Sequence, residues 1–177
     1  MQPIDRAKQL WPKAKSILLP YDGAATELFV TSLENGALPR SIEIIRDFVA
    51  DPEIISIAYG DVESTLPLTP DSAERLSIDP DSLVQHAIRG SFVKTGDVCF
   101  YVWVDGPAQT HEVEMVFWND LHFPEEASEE QHMATWNRIV DFAERLRDES
   151  VASKCILTPE HNGPTEELLD SKYAVVW

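Results

Sequence analysis

Glu112 and Glu114 stand two residues apart in the apolar run Thr110–Trp118. Two neighbouring carboxylates can divide acid and base roles when their surroundings push their pKa values apart. On a strand both would share one face, because alternate side chains do. Without a cleft, such a pair is more simply surface. Asp61 and Glu63 follow the run Ile54–Tyr59. The end of a strand is where α/β enzymes often keep functional groups, but a strand-ending turn accounts for these two as well. His111, Asp120 and His122 offer imidazole and carboxylate groups that suit zinc or manganese. Their spacing matches neither a structural zinc pattern nor HExxH. Cys155 and His161 could supply a thiolate pair. Cys155 lies in an apolar run, which favours a buried, inert thiol, and Cys99 is read the same way. The seven glycines stand singly, so no loop forms a phosphate cradle. No metal or cofactor is expected from these patterns.

The elements that must position these groups follow from spacing. Lys15–Leu19 reads as a short strand ended by Pro20. Asp22 then caps a helix from Gly23 to Asn35, with Ala25, Leu28, Phe29, Ser32 and Leu33 at helical spacing; a strand through Leu28–Thr31 is the alternative. Pro39–Ala50 reads as a helix and Ile54–Tyr59 as a strand. Thr69-Pro70 opens a helical turn. Asp79-Pro80 repeats the device, with Leu83, Val84, Ala87 and Ile88 as the stripe of a second helix. Val98–Asp105 and Thr110–Trp118 form a hairpin across the loop Gly106–Gln109. Ser128 and Gln131 make a capping box for a helix to Glu149. Met133, Trp136, Ile139, Val140, Ala143 and Leu146 are its buried stripe. Lys154–Leu157 and Tyr173–Trp177 read as strands, and Thr165–Asp170 as a helical turn. The order indicates one α+β domain over residues 1–177, a mostly antiparallel sheet with a central long hairpin packed by flanking helices.

A four-residue loop pairs Asp105 with Thr110. One hairpin face then collects Val98, Phe100, Val102 and Val104 with His111, Val113, Met115 and Phe117, a core face. The other collects Cys99, Tyr101 and Trp103 with Glu112, Glu114 and Val116, extended by Trp118. Aromatic anchors among carboxylates suit a protein–protein interface. Ordinary cross-strand stabilisation accounts for each aromatic taken singly.

Charge is the strongest compositional signal. The 177 residues hold 14 Lys+Arg and 31 Asp+Glu, a net charge of −17. The hydrophobic fraction of 44% is enough for a core and excludes a disordered acidic tail. Nucleic-acid binding, which needs clustered cations, is not expected. No run is long enough to span a bilayer, and the first residues lack a secretory signal, so the expected location is cytoplasmic. Residues 1–50 are neutral; the surplus lies beyond them. Between Lys94 and Arg138 stand Asp97, Asp105, Glu112, Glu114, Asp120, Glu125, Glu126, Glu129 and Glu130 with no base among them. If these converge they attract a basic partner; if they scatter they serve solubility.

Small acidic domains pairing aromatic and carboxylate side chains resemble bacterial immunity proteins. The hairpin Cys99–Trp118, the turn Asn119–Pro124, a long helix and a strand are similar in order to several immunity-protein folds, over residues 91–160. The resemblance is of type and carries no motif or residue role. It implies an inhibitor that neutralises a basic toxin by tight binding. The hairpin's open face and the acids that follow it supply the expected partner-binding residues: Tyr101, Trp103, Glu112, Glu114, Trp118, Asp120, Glu125 and Glu126. The competing expectations are a small carboxylate- or metal-dependent enzyme, or an acidic adaptor or assembly domain.

Overall fold

The computed structural model describes residues 3–20, 24–58, 61–74, 76, 78–93, 96–151, 153–160, 169 and 173–177. The order is α1 (Pro3–Leu18), β1 (Ala25–Glu34), α2 (Leu38–Phe48), β2 (Ala50–Ala58), β3 (Asp61–Pro67), α3 (Pro70–Ala73), β4 (Leu83–Val93), β5 (Gly96–Asp105), β6 (Thr110–Trp118), α4 (Asn119–His122), α5 (Glu129–Arg147), β7 (Lys154–Pro159) and β8 (Val175–Val176). The eight strands form one sheet in the order β3-β2-β4-β5-β6-β1-β7-β8. Every neighbouring pair is antiparallel. The protein is an α+β fold with the β5–β6 hairpin near the centre of the sheet. No described helix is long and apolar enough to cross a membrane.

The helices α1, α2 and α5 cover one face of the sheet and share its core with Ile88, Phe100, Val102, Val113, Met115 and Leu157. The capping box of α5 forms as its sequence dictates. Ser128 Oγ accepts from Gln131 N at 3.2 Å and Gln131 Oε1 accepts from Ser128 N at 2.8 Å. Its stripe is buried at Trp136, Ile139, Val140, Ala143 and Leu146, with Met133 half-buried. Arg138 lies over the Phe92 ring at 4.4 Å and donates to the Phe92 carbonyl at 3.0 Å, which pins α5 to β4.

Three elements take a different form from the one the sequence suggests, and a fourth, β3, has no counterpart in the sequence reading: Asp61 and Glu63 belong to this strand rather than to a strand-ending turn. Lys15–Leu19 is not a strand: Ala7, Trp11, Ala14, Ile17 and Leu18 are buried at helical spacing, and α1 runs through Pro12 to Leu18. Residues 23–35 are not a helix. Ala25–Glu34 is a central strand buried on both faces, so its alternation is lost. A bulge between Val30 and Leu33 also shifts its phase, moving the core face from Leu28 and Val30 to Leu33. Together these imitate a helical period. The stripe Leu83, Val84, Ala87 and Ile88 belongs to β4, which pairs with β5 along its length. Asp79 does bend the chain, accepting from Asp81 N and Ser82 Oγ, but the turn leads into a strand. The 3₁₀ turn Asn35–Ala37 precedes α2, and α3 carries the expected Thr69 cap. Thr165–Asp170 falls outside the described residues, apart from Leu169.

Candidate functional site

The hairpin register is the one a four-residue loop requires, from Asp105 opposite Thr110 to Cys99 opposite Val116. Val98, Phe100, Val102, Val104, His111, Val113, Met115 and Phe117 are buried toward the helices. Cys99, Tyr101, Trp103, Glu112, Glu114 and Val116 lie on the opposite face and are half-buried. Trp118 ends the row at 48% exposure. The sheet therefore offers an aromatic and carboxylate surface on the side away from α1, α2 and α5.

Trp103 Nε1 donates to Glu114 Oε2 at 3.0 Å, a diagonal cross-strand bond that fixes both side chains. The Glu112 side chain has no hydrogen bond or ion pair among the described residues. Burial, and then the charge of Glu114, push its carboxyl up to about 7. Burial also raises Glu114, and the Trp103 bond pulls it partly back. Burial, with Cys99 and Glu114 adding to it, raises the Tyr101 phenol. Directly opposite Glu112 lies the β1 bulge, where Thr31 and Ser32 face one residue of β6. Ser32 takes φ 60°, and its carbonyl accepts from Ser150 Oγ at 3.2 Å. Sequence reasoning missed this bulge; the broken alternation in Leu28–Leu33 is its only sequence trace.

No family model and no curated protein matches the chain.

The rest of the face is not uniformly acidic. Arg89 on β4 pairs with Glu53 on β2 at 3.1 Å, beside Cys99. Exposed Lys154 on β7 lies opposite Thr31. Arg89 was missed because the stripe Leu83–Ile88 read as a helix, which hides its place on the hairpin's open face; Lys154 was missed because nothing local shows that β7 pairs with β1. The nine acids of the base-free stretch divide into two places. Asp97, Asp105, Glu112 and Glu114 are strung along the hairpin. Asp120, Glu125, Glu126, Glu129 and Glu130 are exposed beyond its end, on α4, the following turn and the start of α5. Glu129 is paired there with Lys15 at 3.3 Å. The structure thus brings Tyr101, Trp103, Glu112 and Glu114 together. It sets Asp120, Glu125 and Glu126 apart from them, with Trp118 at the junction.

The remaining candidates separate. His111 Nε2 contacts Ser41 Oγ at 2.9 Å inside the core at the turn end of β6, whereas His122 Nδ1 contacts the Trp118 carbonyl at 2.8 Å at the other end. They do not converge with Asp120 on one metal. Cys155 is fully buried, donates to the Ala143 carbonyl at 3.6 Å, and is pushed up to about 12 by burial. That makes it a poor nucleophile. His161 and the side chains of Asp61 and Glu63 lie outside the described residues. A cavity of about 680 Å³ between α2 and the β3–β4 connection is lined by Leu38, Ile42, Ala73 and Leu76, with Arg40 and Arg46 at its rim; Glu112 lines none of the described cavities.

His111 sets an acid limit on stability. Burial lowers it to about 4 from 6.5. The unfolded chain therefore binds more protons between those values, and stability falls as pH drops from 6.5 towards 4. At pH 5 the loss from this residue is about 2 kcal/mol by linkage. Because Glu112 gains stability over the same interval, the loss reads out as a difference between proteins: urea unfolding will show His111→Gln gaining on the parent by more at pH 5 than at pH 7.5.

Proposed function

We propose that the chain is a protein-binding domain whose open sheet face covers a basic partner, in the manner of an immunity protein that neutralises a toxin. One observation carries the reading: Glu112 and Glu114 are half-buried carboxylates with no cation paired to them among the described residues, set beside Tyr101 and Trp103. A carboxylate held out of water without a counter-ion is costly, and a partner's cation would relieve that cost. Tyr and Trp supply rigid contact area that loses little entropy on binding. The acids beyond Trp118 would steer the approach, so association should slow as salt rises.

The test is capture of a basic protein from the producing organism's lysate, followed by binding of the identified partner to variants. Trp103→Ala and Glu114→Lys should each weaken binding at least ~30-fold, the scale of an interface hot spot. Both should keep the far-ultraviolet circular dichroism of the parent. Undiminished affinity in both variants overturns the reading.

One observation favours a second reading, a carboxylate enzyme. A group titrating near 7 beside a second carboxylate is suited to general acid–base work. That reading needs a cleft to hold substrate, and the described cavities lie elsewhere.

A further inference from the structure

We infer that the corner formed by Trp103, Glu112 and Glu114 seats one arginine side chain of the partner, its guanidinium bridging the two carboxylates beside the Trp103 and Tyr101 rings. This inference rests on the binding reading above and narrows it to one residue type. Glu112 and Glu114 are on the same face of β6, one pleat apart, a spacing of about 7 Å between their Cα atoms. Trp103 Nε1 occupies Glu114 Oε2, which holds that side chain in place and leaves its other oxygen to accept. Both Glu112 oxygens lack a partner among the described residues. The acceptors are therefore spread along one face of β6, opposite the Trp103 and Tyr101 side chains. A planar fork of five donors fits such a spread, and a guanidinium also lies well against an aromatic ring. A lysine ammonium is a compact, strongly hydrated point charge and can satisfy only part of it. The bulge at Thr31 and Ser32 lies opposite Glu112 on the β1 side.

Seating the cation is coupled to a proton. The groups facing Glu112 are Glu114 and Thr110 on its own strand, Tyr101, Trp103 and Asp105 on β5, Glu34 on β1, and Lys154 one strand further on β7. Asp105 is engaged by the Ala108 backbone N–H at 2.8 Å. The acids in this set outnumber the single lysine, and Glu112 is the one carboxyl of the set pushed up to about 7. Near neutral pH it is partly protonated in the free protein. A guanidinium requires the ionised form, so it expels the proton, and affinity rises with pH up to the point where Glu112 is already ionised.

The test uses the full chain and two blocked tripeptides, acetyl-Gly-Arg-Gly-amide and acetyl-Gly-Lys-Gly-amide. Titrations are followed by the Trp103 indole N–H and the Glu112 side-chain carboxyl carbon in NMR spectra. The arginine peptide should shift both signals saturably and bind at least ~3-fold more tightly than the lysine peptide. Its affinity should be about tenfold higher at pH 8 than at pH 5.5. Glu112→Gln should remove that pH dependence. Equal shifts from both peptides, shifts confined to the acids beyond Trp118, or a pH-independent affinity would each overturn the inference. The two ideas fail separately. A captured basic partner indifferent to Glu112→Gln removes the arginine seat and leaves the binding reading standing if Trp103→Ala still weakens it. A saturable arginine site with a captured partner unaffected by Trp103→Ala and Glu114→Lys removes the binding reading and keeps the seat.

Discussion

Glu112→Gln will stabilise the free protein at pH 8 by about 1–3 kcal/mol and leave it nearly unchanged at pH 4. The sign follows from the direction of the shift. Burial and Glu114 raise the folded carboxyl to about 7, above its ordinary value of 4.5. The folded state holds the extra proton between those limits, so the parent loses stability as pH rises from 4.5 through 7. Glutamine has the shape of the protonated acid and no charge to desolvate, so the variant escapes that loss. Solvent contact at the half-buried side chain screens part of that loss. Urea unfolding at pH 4, 6 and 8 is the measurement; an equal change at all three pH values would show that Glu112 ionises in the folded protein as it does in water. The same substitution should weaken binding of a basic partner. A residue that costs the free fold and benefits the complex is what a binding surface predicts, and a merely structural glutamate would not behave so.

The variant also exposes a compensation. Between pH 6.5 and 4.5 the parent gains stability through Glu112 and loses it through buried His111, whose folded value is about 4. The two slopes oppose each other. With Glu112 replaced, the His111 slope stands alone, and stability will fall more steeply across that interval than in the parent.

The hairpin was fully legible in the sequence because its signals agree. Gly106 and Pro107 define the loop, the alternation is strict, and a four-residue loop leaves one register. The faces of Tyr101, Trp103, Glu112 and Glu114 followed from it. The capping box at Ser128 is equally local, and α5 formed as read. What failed is what burial erases. β1 is covered on both faces and carries a bulge, so its apolar residues fall at an apparent helical spacing. β4 presents Leu83, Val84, Ala87 and Ile88 in the same misleading rhythm, and only its ladder with β5 resolves it. The convergence of the acids was not readable either. Sequence places Glu114 and Glu125 eleven positions apart; whether they share a surface depends on how α4 leaves the strand. Here it turns the chain back toward α1, since Asn119 Nδ2 donates to the Ile17 carbonyl at 3.2 Å.

Trp136→Ala should cost about 3–5 kcal/mol, more than any substitution on the open face of the sheet. The indole is fully buried in the middle of α5. Its Nε1 donates to the Ala7 carbonyl of α1 at 3.0 Å, and its ring lies 6.4 Å from Trp11 and 6.2 Å from Trp177. It therefore joins α1, α5 and the segment after β8 at one point, and its removal leaves a cavity among all three. A domain of this size has a total stability of about 5–15 kcal/mol, so the loss is a large fraction of it and should lower Tm by roughly 10 °C. Trp136→Phe keeps most of the ring and loses the hydrogen bond, so it should cost much less, about 1–2 kcal/mol. Amide exchange in α1 should accelerate in the alanine variant, because that helix loses its anchor. A cost below about 1 kcal/mol would mean that α1 is held by other contacts. The comparison matters for function because Trp136 sits on the helix side of the sheet and Trp103 on the open side. Trp103→Ala removes a half-exposed ring and should leave Tm within a few degrees of the parent. Two tryptophans on opposite sides of one sheet therefore separate the two roles: loss of Trp136 destabilises the fold, and loss of Trp103 is expected to leave a stable protein that no longer binds the proposed partner.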